Sequence, residues 1–257
     1  MKFVKERVNV ICQELARLSI SQKIKITDMQ VKNGCYITPA EADASEEPGL
    51  RNGDGGAEHY WFRTTITVPE SFDGKNLWMR VHAGLDDWDD GRNPQFLLFA
   101  NGEVIQGMDI NHREVLVREN AKAGEKIQLD LQSYTGTLHS EFRLLADLEE
   151  HDAKIEEIYY DLIVPMQGLN RMDEDNKTRL DLETELTNTI NLLDLRKPYS
   201  KEFYASIENT SRKPSMKKWA AGTKSWQRAS ATPTLMWHGC GRSTRFVRNP
   251  AEALQRY

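Results

Sequence analysis

Apolar residues in the first eighteen positions recur every three or four residues, at Val4, Val8, Ile11, Leu15 and Leu18. That spacing puts them on one stripe of an amphipathic helix. Residues 23–31 fit either a short strand or an extension of that helix, and the Pro-, Gly- and acid-rich stretch from Thr38 to Glu58 reads as a loop. From His59 the period falls to two. In HYWFRTTITV, Tyr60, Phe62, Thr64, Ile66 and Val68 alternate with Trp61, Arg63 and Thr65, the pattern of a half-buried strand. NLWMRVH repeats it with Leu77, Met79 and Val81. QFLLFA, Asn101-Gly102 and EVIQG predict a hairpin whose tight turn draws its positive φ from Gly102. EVLV, KIQLDLQS and HSEFRLLADL supply three further strands.

Near His151 the helical period returns. Ile155, Ile158, Tyr159 and Leu162 predict a helix that Pro165 ends or kinks. Leu182, Leu186, Ile190 and Leu193 mark a second helix, and Ser200 is placed to cap a third carrying Phe203, Tyr204 and Ile207. The fold expected is mostly β with α: an antiparallel, jelly-roll-like β-sandwich of seven or eight strands, preceded by a helix and followed by a helical connector. The boundaries expected are 1–22 for the first helix, 23–150 for the sandwich and 151–210 for the connector, with a separate tail over 211–257.

Charge sets the tail apart. The chain of 257 residues carries a net −5, yet residues 211–257 hold ten Lys or Arg and a single acid, Glu252. The remaining 24 bases and 38 acids leave the rest of the chain at −14. So abrupt a shift marks a boundary. A basic tail that touches nucleic acid or anionic lipid is one explanation; a shift of reading frame is the preferred one, and no nucleic-acid or membrane partner is expected. The N-terminus lacks a continuous apolar core and a small-residue cleavage site, and Cys12, Cys35 and Cys240 form neither a CxxC pair nor an even framework. A cytoplasmic setting is the expectation.

Candidate chemistry concentrates in GLDDWDDGRNPQFLLFANGEVIQGMDINHREV, Gly84 to Val115. Carboxylates and amides beside an aromatic face suit a polyhydroxylated ligand. Trp88 would stack on a sugar ring while Asp87, Asp89, Asn93 and Gln95 take its hydroxyls, with Asn111 and His112 as further contacts. The plainer alternative is that Asp86, Asp87, Asp89 and Asp90 form a solvated loop and Trp88 an aromatic plug. Carboxylates this close on one loop rarely face each other across a bond, so no catalytic residue is assigned.

That segment, with HYWFRTTITVPE before it, resembles the region preceding the catalytic domain in glycoside hydrolase family 38, the α-mannosidases, in their bacterial and cytosolic branch. LLDLRKPYSKEFYASI resembles that family's helical connector, and the resemblance covers roughly residues 1–210. It implies hydrolysis of terminal α-mannose by a zinc-dependent, retaining glycosidase, with the chemistry in a domain that follows. The family's next motif is Gly-His-x-His-x-Asp-x-Ala-Trp-x-Trp. No such motif stands here, and His59, His82, His112, His139, His151 and His238 show no ligand spacing.

Codon degeneracy suggests where the motif went. Read from the third base of each codon, Ser230 to Gly241 (SATPTLMWHGCG) permits Gly-His-Thr-His-Ile-Asp-Val-Ala-Trp-Leu-Trp. The Val and Ala are forced, because Met236 and Trp237 have one codon each. A shift of frame between about Asn209 and Lys224 thus accounts for the charge break, and the foreign tail is expected to be poorly ordered. The expectation is an N-terminal part of an α-mannosidase that lacks its catalytic domain: no cofactor in this chain, zinc in the intact family, and an α-mannoside or oligosaccharide as ligand. The alternatives are a stand-alone carbohydrate-binding module and an interaction domain that forms homo-oligomers.

Overall fold

A computed structural model describes residues 3–34, 36–42, 52–53, 59–82, 94–135, 142–173, 176–211, 235–237 and 245–247. The chain divides into two compact units, with cuts after Ser21, after Glu150 and after Ser230.

The helical unit is built from four helices. α1 (Val4–Ser19) buries Val4, Val8, Cys12, Leu15 and Leu18. The predicted stripe is present, with Cys12 completely covered where Ile11 is only partly so. α2 (Ala153–Leu169) starts at Asp152, whose carboxylate accepts hydrogen bonds from the Lys154 and Ile155 amides. Capping satisfies two of the amides a helix start leaves without partners. α3 (Lys177–Ile190) and α4 (Lys201–Ser211) complete the unit, and Ser200 Oγ caps α4 by accepting from the Phe203 amide at 3.2 Å. Ile155, Ile158, Leu162, Leu182, Leu186, Ile190, Phe203 and Ile207 pack with the α1 stripe into one core. Of the two roles the sequence leaves to Pro165, ending the helix is not the one found, since α2 runs a further turn to Leu169. An internal proline costs about 3 kcal/mol. Burying Met166 and Leu169 beyond it returns roughly 1.5–3 kcal/mol each, enough to hold the last turn in place.

The second unit is the sandwich. Its strands are β1 (Ile20–Ile26), β2 (Gln30–Asn33), β3 (Asn52–Gly53), β4 (His59–Thr67), β5 (Lys75–His82), β6 (Gln95–Ala100), β7 (Glu103–Met108), β8 (Glu114–Ala121), β9 (Lys126–Tyr134), β10 (Phe142–Arg143) and β11 (Leu145–His151). A four-stranded sheet has the order β1-β11-β5-β8, and a five-stranded sheet the order β2-β4-β9-β6-β7. β3 pairs with β10 as a short separate ladder. Chain order alternates between the sheets: β4, β6, β7 and β9 lie in one, and β5, β8 and β11 in the other. This is the mostly antiparallel sandwich the periodicity implies. Residues 23–31, which fit either a strand or a helix extension in the sequence, hold the end of β1 and the start of β2, with residues 27–29 joining the two strands.

Inward-facing residues of both sheets form one core, among them Phe62, Ile66, Leu77, Met79, Val81, Phe96, Leu98, Val115, Leu129, Leu131 and Leu148. The β6–β7 hairpin turns at Asn101 (φ 51°) and Gly102 (φ 87°). Both turn residues take positive φ, as a type I′ turn requires, where the sequence pointed to Gly102 alone. In the tail, β12 (Leu235–Trp237) and β13 (Arg245–Val247) pair antiparallel.

Candidate functional site

The five-stranded sheet has a polar outer face with a structure of its own. In an antiparallel ladder, directly opposed residues share a face. Trp61 lies opposite Gln132, which lies opposite Leu97; Arg63 lies opposite Asp130, which lies opposite Phe99. One step toward the end of the sheet, His59 faces Tyr134 and Tyr134 faces Gln95. These three form a row across three strands, each half-buried. The His59 and Tyr134 rings sit 5.2 Å apart at a tilt of 36°.

Residues 36–42 cover the inner part of this face. Gln132 Nε2 donates to the Tyr36 carbonyl at 2.7 Å and Arg63 Nη2 to the Pro39 carbonyl at 2.6 Å. Beneath them Ala42, Trp61 and Phe99 make a small second core, edged by Tyr36 and Leu97. Here the simple alternation of β4 fails: Trp61 is 1% exposed although it points away from the main core. Gly34 permits the arrangement. Its φ is +144°, and a Cβ there would lie 2.6 Å from the Tyr36 ring. Its amide donates to the His59 carbonyl at 2.9 Å, tying the end of β2 to the row.

Electrostatically, the face is held by a covered ion pair. Asp130 is 1% exposed and accepts from Arg63 Nε at 2.5 Å and from Gln128 Nε2 at 2.8 Å. Two polar atoms are left over. Trp61 Nε1 and Gln132 Oε1 are buried with no hydrogen-bond partner among the described residues. Burial holds the His59 imidazole below its ordinary value of 6.5, so the neutral ring is favoured.

Of the expected sugar contacts, Asp87, Trp88, Asp89 and Asn93 lie outside the described residues. Gln95 belongs to the row just described. Asn111 and His112 do not join it. They form the β7–β8 turn, where Asp109 Oδ1 accepts from both their amides at 2.8 Å and lies 2.9 Å from His112 Nδ1. That carboxylate organises a tight turn and occupies one side of the imidazole. Sequence reading missed His59, Tyr134, Trp61 and Gln132, because each is an ordinary strand position until long-range register sets them side by side.

On the opposite side of the sandwich, the outer face of the four-stranded sheet carries an ionic network. Glu149, whose side chain is fully buried, meets Lys23 Nζ at 3.2 Å and Arg80 Nε at 3.0 Å, and Lys23 also meets Asp147 at 2.8 Å. Arg80 pairs in addition with Glu114. Each of the three carboxylates meets at least one of the two shared cations, which describes a structural network better than a poised acid and base. A zinc site of the kind the family resemblance implies does not fit this chain as translated. Residues 230–241 supply His238 where two histidines and an aspartate are needed.

No family model matches the chain, and no curated protein matches it. Among solved structures, similarity is found to the β-glucuronidase of Lactobacillus rhamnosus, at 13% identity and a TM-score of 0.33 over 50% of this chain and 28% of that one. The Ruminococcus gnavus β-glucuronidase gives 12% and 0.33 over 50% and 28%. The Faecalibacterium prausnitzii enzyme gives 10% and 0.36 over 51% and 32%. The chain spans less than a third of the length of these three proteins. At such scores the likeness carries no argument about function.

Proposed function

We propose that residues 1–210 are the non-catalytic N-terminal part of a family 38 α-mannosidase, and that the tail is a catalytic-domain start read in the wrong frame. One observation carries this reading. The out-of-frame translation of Ser230 to Gly241 permits the family's eleven-residue metal motif, with the motif's Ala forced by the single codon of Trp237, beyond a segment that resembles the family's connector. The charge break at about residue 211 agrees with it. In this reading the zinc ligands and the nucleophile belong to the frame not translated, and this chain hydrolyses no mannoside. The sandwich and the helical unit would serve such a catalytic domain as a scaffold. The test is the nucleotide sequence from codon 200 onward, translated in all three forward frames. A second frame continuing from Gly-His-Thr-His-Ile-Asp into a long open stretch supports the reading; its absence removes it.

A second reading is a carbohydrate-binding sandwich that works on its own. The aromatic and amide groups on the outer face of the five-stranded sheet favour it, together with the Trp- and Asp-rich composition of residues 84–93. Saturable binding of mannosides by the chain as it stands, lost in Trp88→Ala, is the result this version expects; binding indifferent to Trp88 removes the loop from it.

A further inference from the structure

We infer that the outer face of the five-stranded sheet, at the end marked by His59, Tyr134 and Gln95, binds the ring of a hexopyranoside. The inference rests on the carbohydrate-binding reading and not on the family assignment. It places the contact on strands, independent of Trp88 and its neighbours.

Three observations support it. The first is the row itself. Register places His59, Tyr134 and Gln95 side by side on three adjacent strands, each half-buried. Opposed positions on neighbouring strands lie about 5 Å apart, so the row extends over about 10 Å, the reach of one to two sugar rings. The second is its chemistry. The face of a pyranose that carries C–H groups packs on an aromatic ring, and its hydroxyls need groups that both donate and accept. Tyr134 supplies the ring, His59 tilts a second ring against it at 5.2 Å, and the Gln95 amide supplies donor and acceptor together. Because burial favours neutral His59, the platform carries no charge of its own at neutral pH. An uncharged sugar is therefore a better match than an anionic one.

The third observation lies one step inward on the same face. Trp61 and Gln132 oppose each other and are 1% and 2% exposed, and the Trp61 Nε1 donor and Gln132 Oε1 acceptor have no partner among the described residues. The Gln132 amide is not free to turn, since its Nε2 is committed to the Tyr36 carbonyl at 2.7 Å. A hydroxyl group is the small species that accepts from an indole N–H while donating to an amide oxygen. A buried donor or acceptor without a partner is unfavourable, so a ligand hydroxyl that reached both would be held by both. Strand geometry makes the face stiff, and a stiff site loses little on ordering.

The experiment is titration of the full chain with methyl α-D-mannopyranoside, methyl α-D-glucopyranoside and methyl α-D-galactopyranoside, followed by calorimetry and by the indole N–H signals. Saturable binding of at least one, with a Kd on the order of 1 mM as for a single small ring, is expected. Tyr134→Ala and Gln95→Ala should each weaken it by about tenfold. Tyr134→Phe, which keeps the ring, should retain it. The Trp61 indole signal, assigned by its loss in Trp61→Phe, should shift on saturation. Two results overturn the inference: no saturable binding of any of the three sugars, or binding unchanged in Gln95→Ala and in whichever Tyr134 variant stays folded by circular dichroism. A negative titration leaves the frame reading of the gene untouched.

Discussion

At the scale of single residues, the Arg63–Asp130 pair gives the clearest test of the outer face. Asp130 is almost wholly covered and depends on Arg63 and Gln128 for its hydrogen bonds. Removing one member of a covered pair strands the other charge, at a cost of about 3–5 kcal/mol. Arg63→Met should therefore destabilise the chain by that order in urea unfolding. The double change with Asp130→Leu should recover much of the loss. Equal losses in single and double variants would show that the carboxylate is not held by this arginine. His59 offers a pH test. Its folded pKa lies below the unfolded value of 6.5, so below about that pH the unfolded chain binds more protons. Stability should then be full above pH 6.5 and fall as pH drops through and below it. Comparing His59→Gln with the parent by thermal denaturation between pH 5 and pH 8 should show a flatter dependence in the variant. Parallel curves would mean that His59 titrates as freely in the fold as in the unfolded chain.

Neither residue was legible as special in the sequence. Alternation along HYWFRTTITV identifies the strand and its inward face at Phe62 and Ile66. It says nothing about Trp61, because the cover over the outer face comes from residues 36–42, some twenty positions away. His112 shows the reverse case. A histidine beside Asn and Asp reads as a ligand group in the sequence; in the fold the Asp109 carboxylate accepts from the Asn111 and His112 amides and lies 2.9 Å from the His112 ring nitrogen.

Among the elements, helices were read more fully than strands. Their stripes are local, and α1, α2, α3 and α4 fall where the three-to-four spacing puts them. The helix continues past Pro165 for a tertiary reason: the local cost of the proline is real, and burial of the next turn offsets it. Strand existence was also legible, but partner choice was not, since β4 pairs with β9 about seventy residues on. Asp152 is where a helix start and a tertiary contact meet. It caps α2 and its other oxygen accepts from Tyr204 Oη at 2.6 Å, linking the start of α2 to α4. Asp152→Ala removes a cap worth about 0.5–2 kcal/mol and leaves a half-buried hydroxyl without its acceptor. A loss of about 1–3 kcal/mol in equilibrium unfolding is expected. Asp152→Asn, which keeps the capping oxygen, should lose less. If the two variants behave alike, the cap is not what stabilises this joint.

At the scale of the whole molecule, the chain is two units, one of Met1–Ser21 with His151–Ser230 and one of Gln22–Glu150 with Ala231–Tyr257. One element of that plan was grouped differently. The first helix, read as a piece by itself, shares a core with the connector helices. Sequence spacing shows that each stripe must be buried without showing against what. Because α1 already covers the connector stripes, the helical unit has a core of its own. No described helix is long and apolar enough to cross a membrane. The proposed frame shift in the tail is tested in the gene and not in the fold.

The most direct measurement is hydrolysis of an aryl α-D-mannoside by the protein expressed from the gene with the second frame restored upstream of codon 230. The account predicts activity that is lost on chelation and returns with zinc, while the chain as it stands releases no product. A frame-restored protein that folds, binds zinc and leaves the mannoside intact, or an open frame that closes within a few codons of the motif, would contradict it.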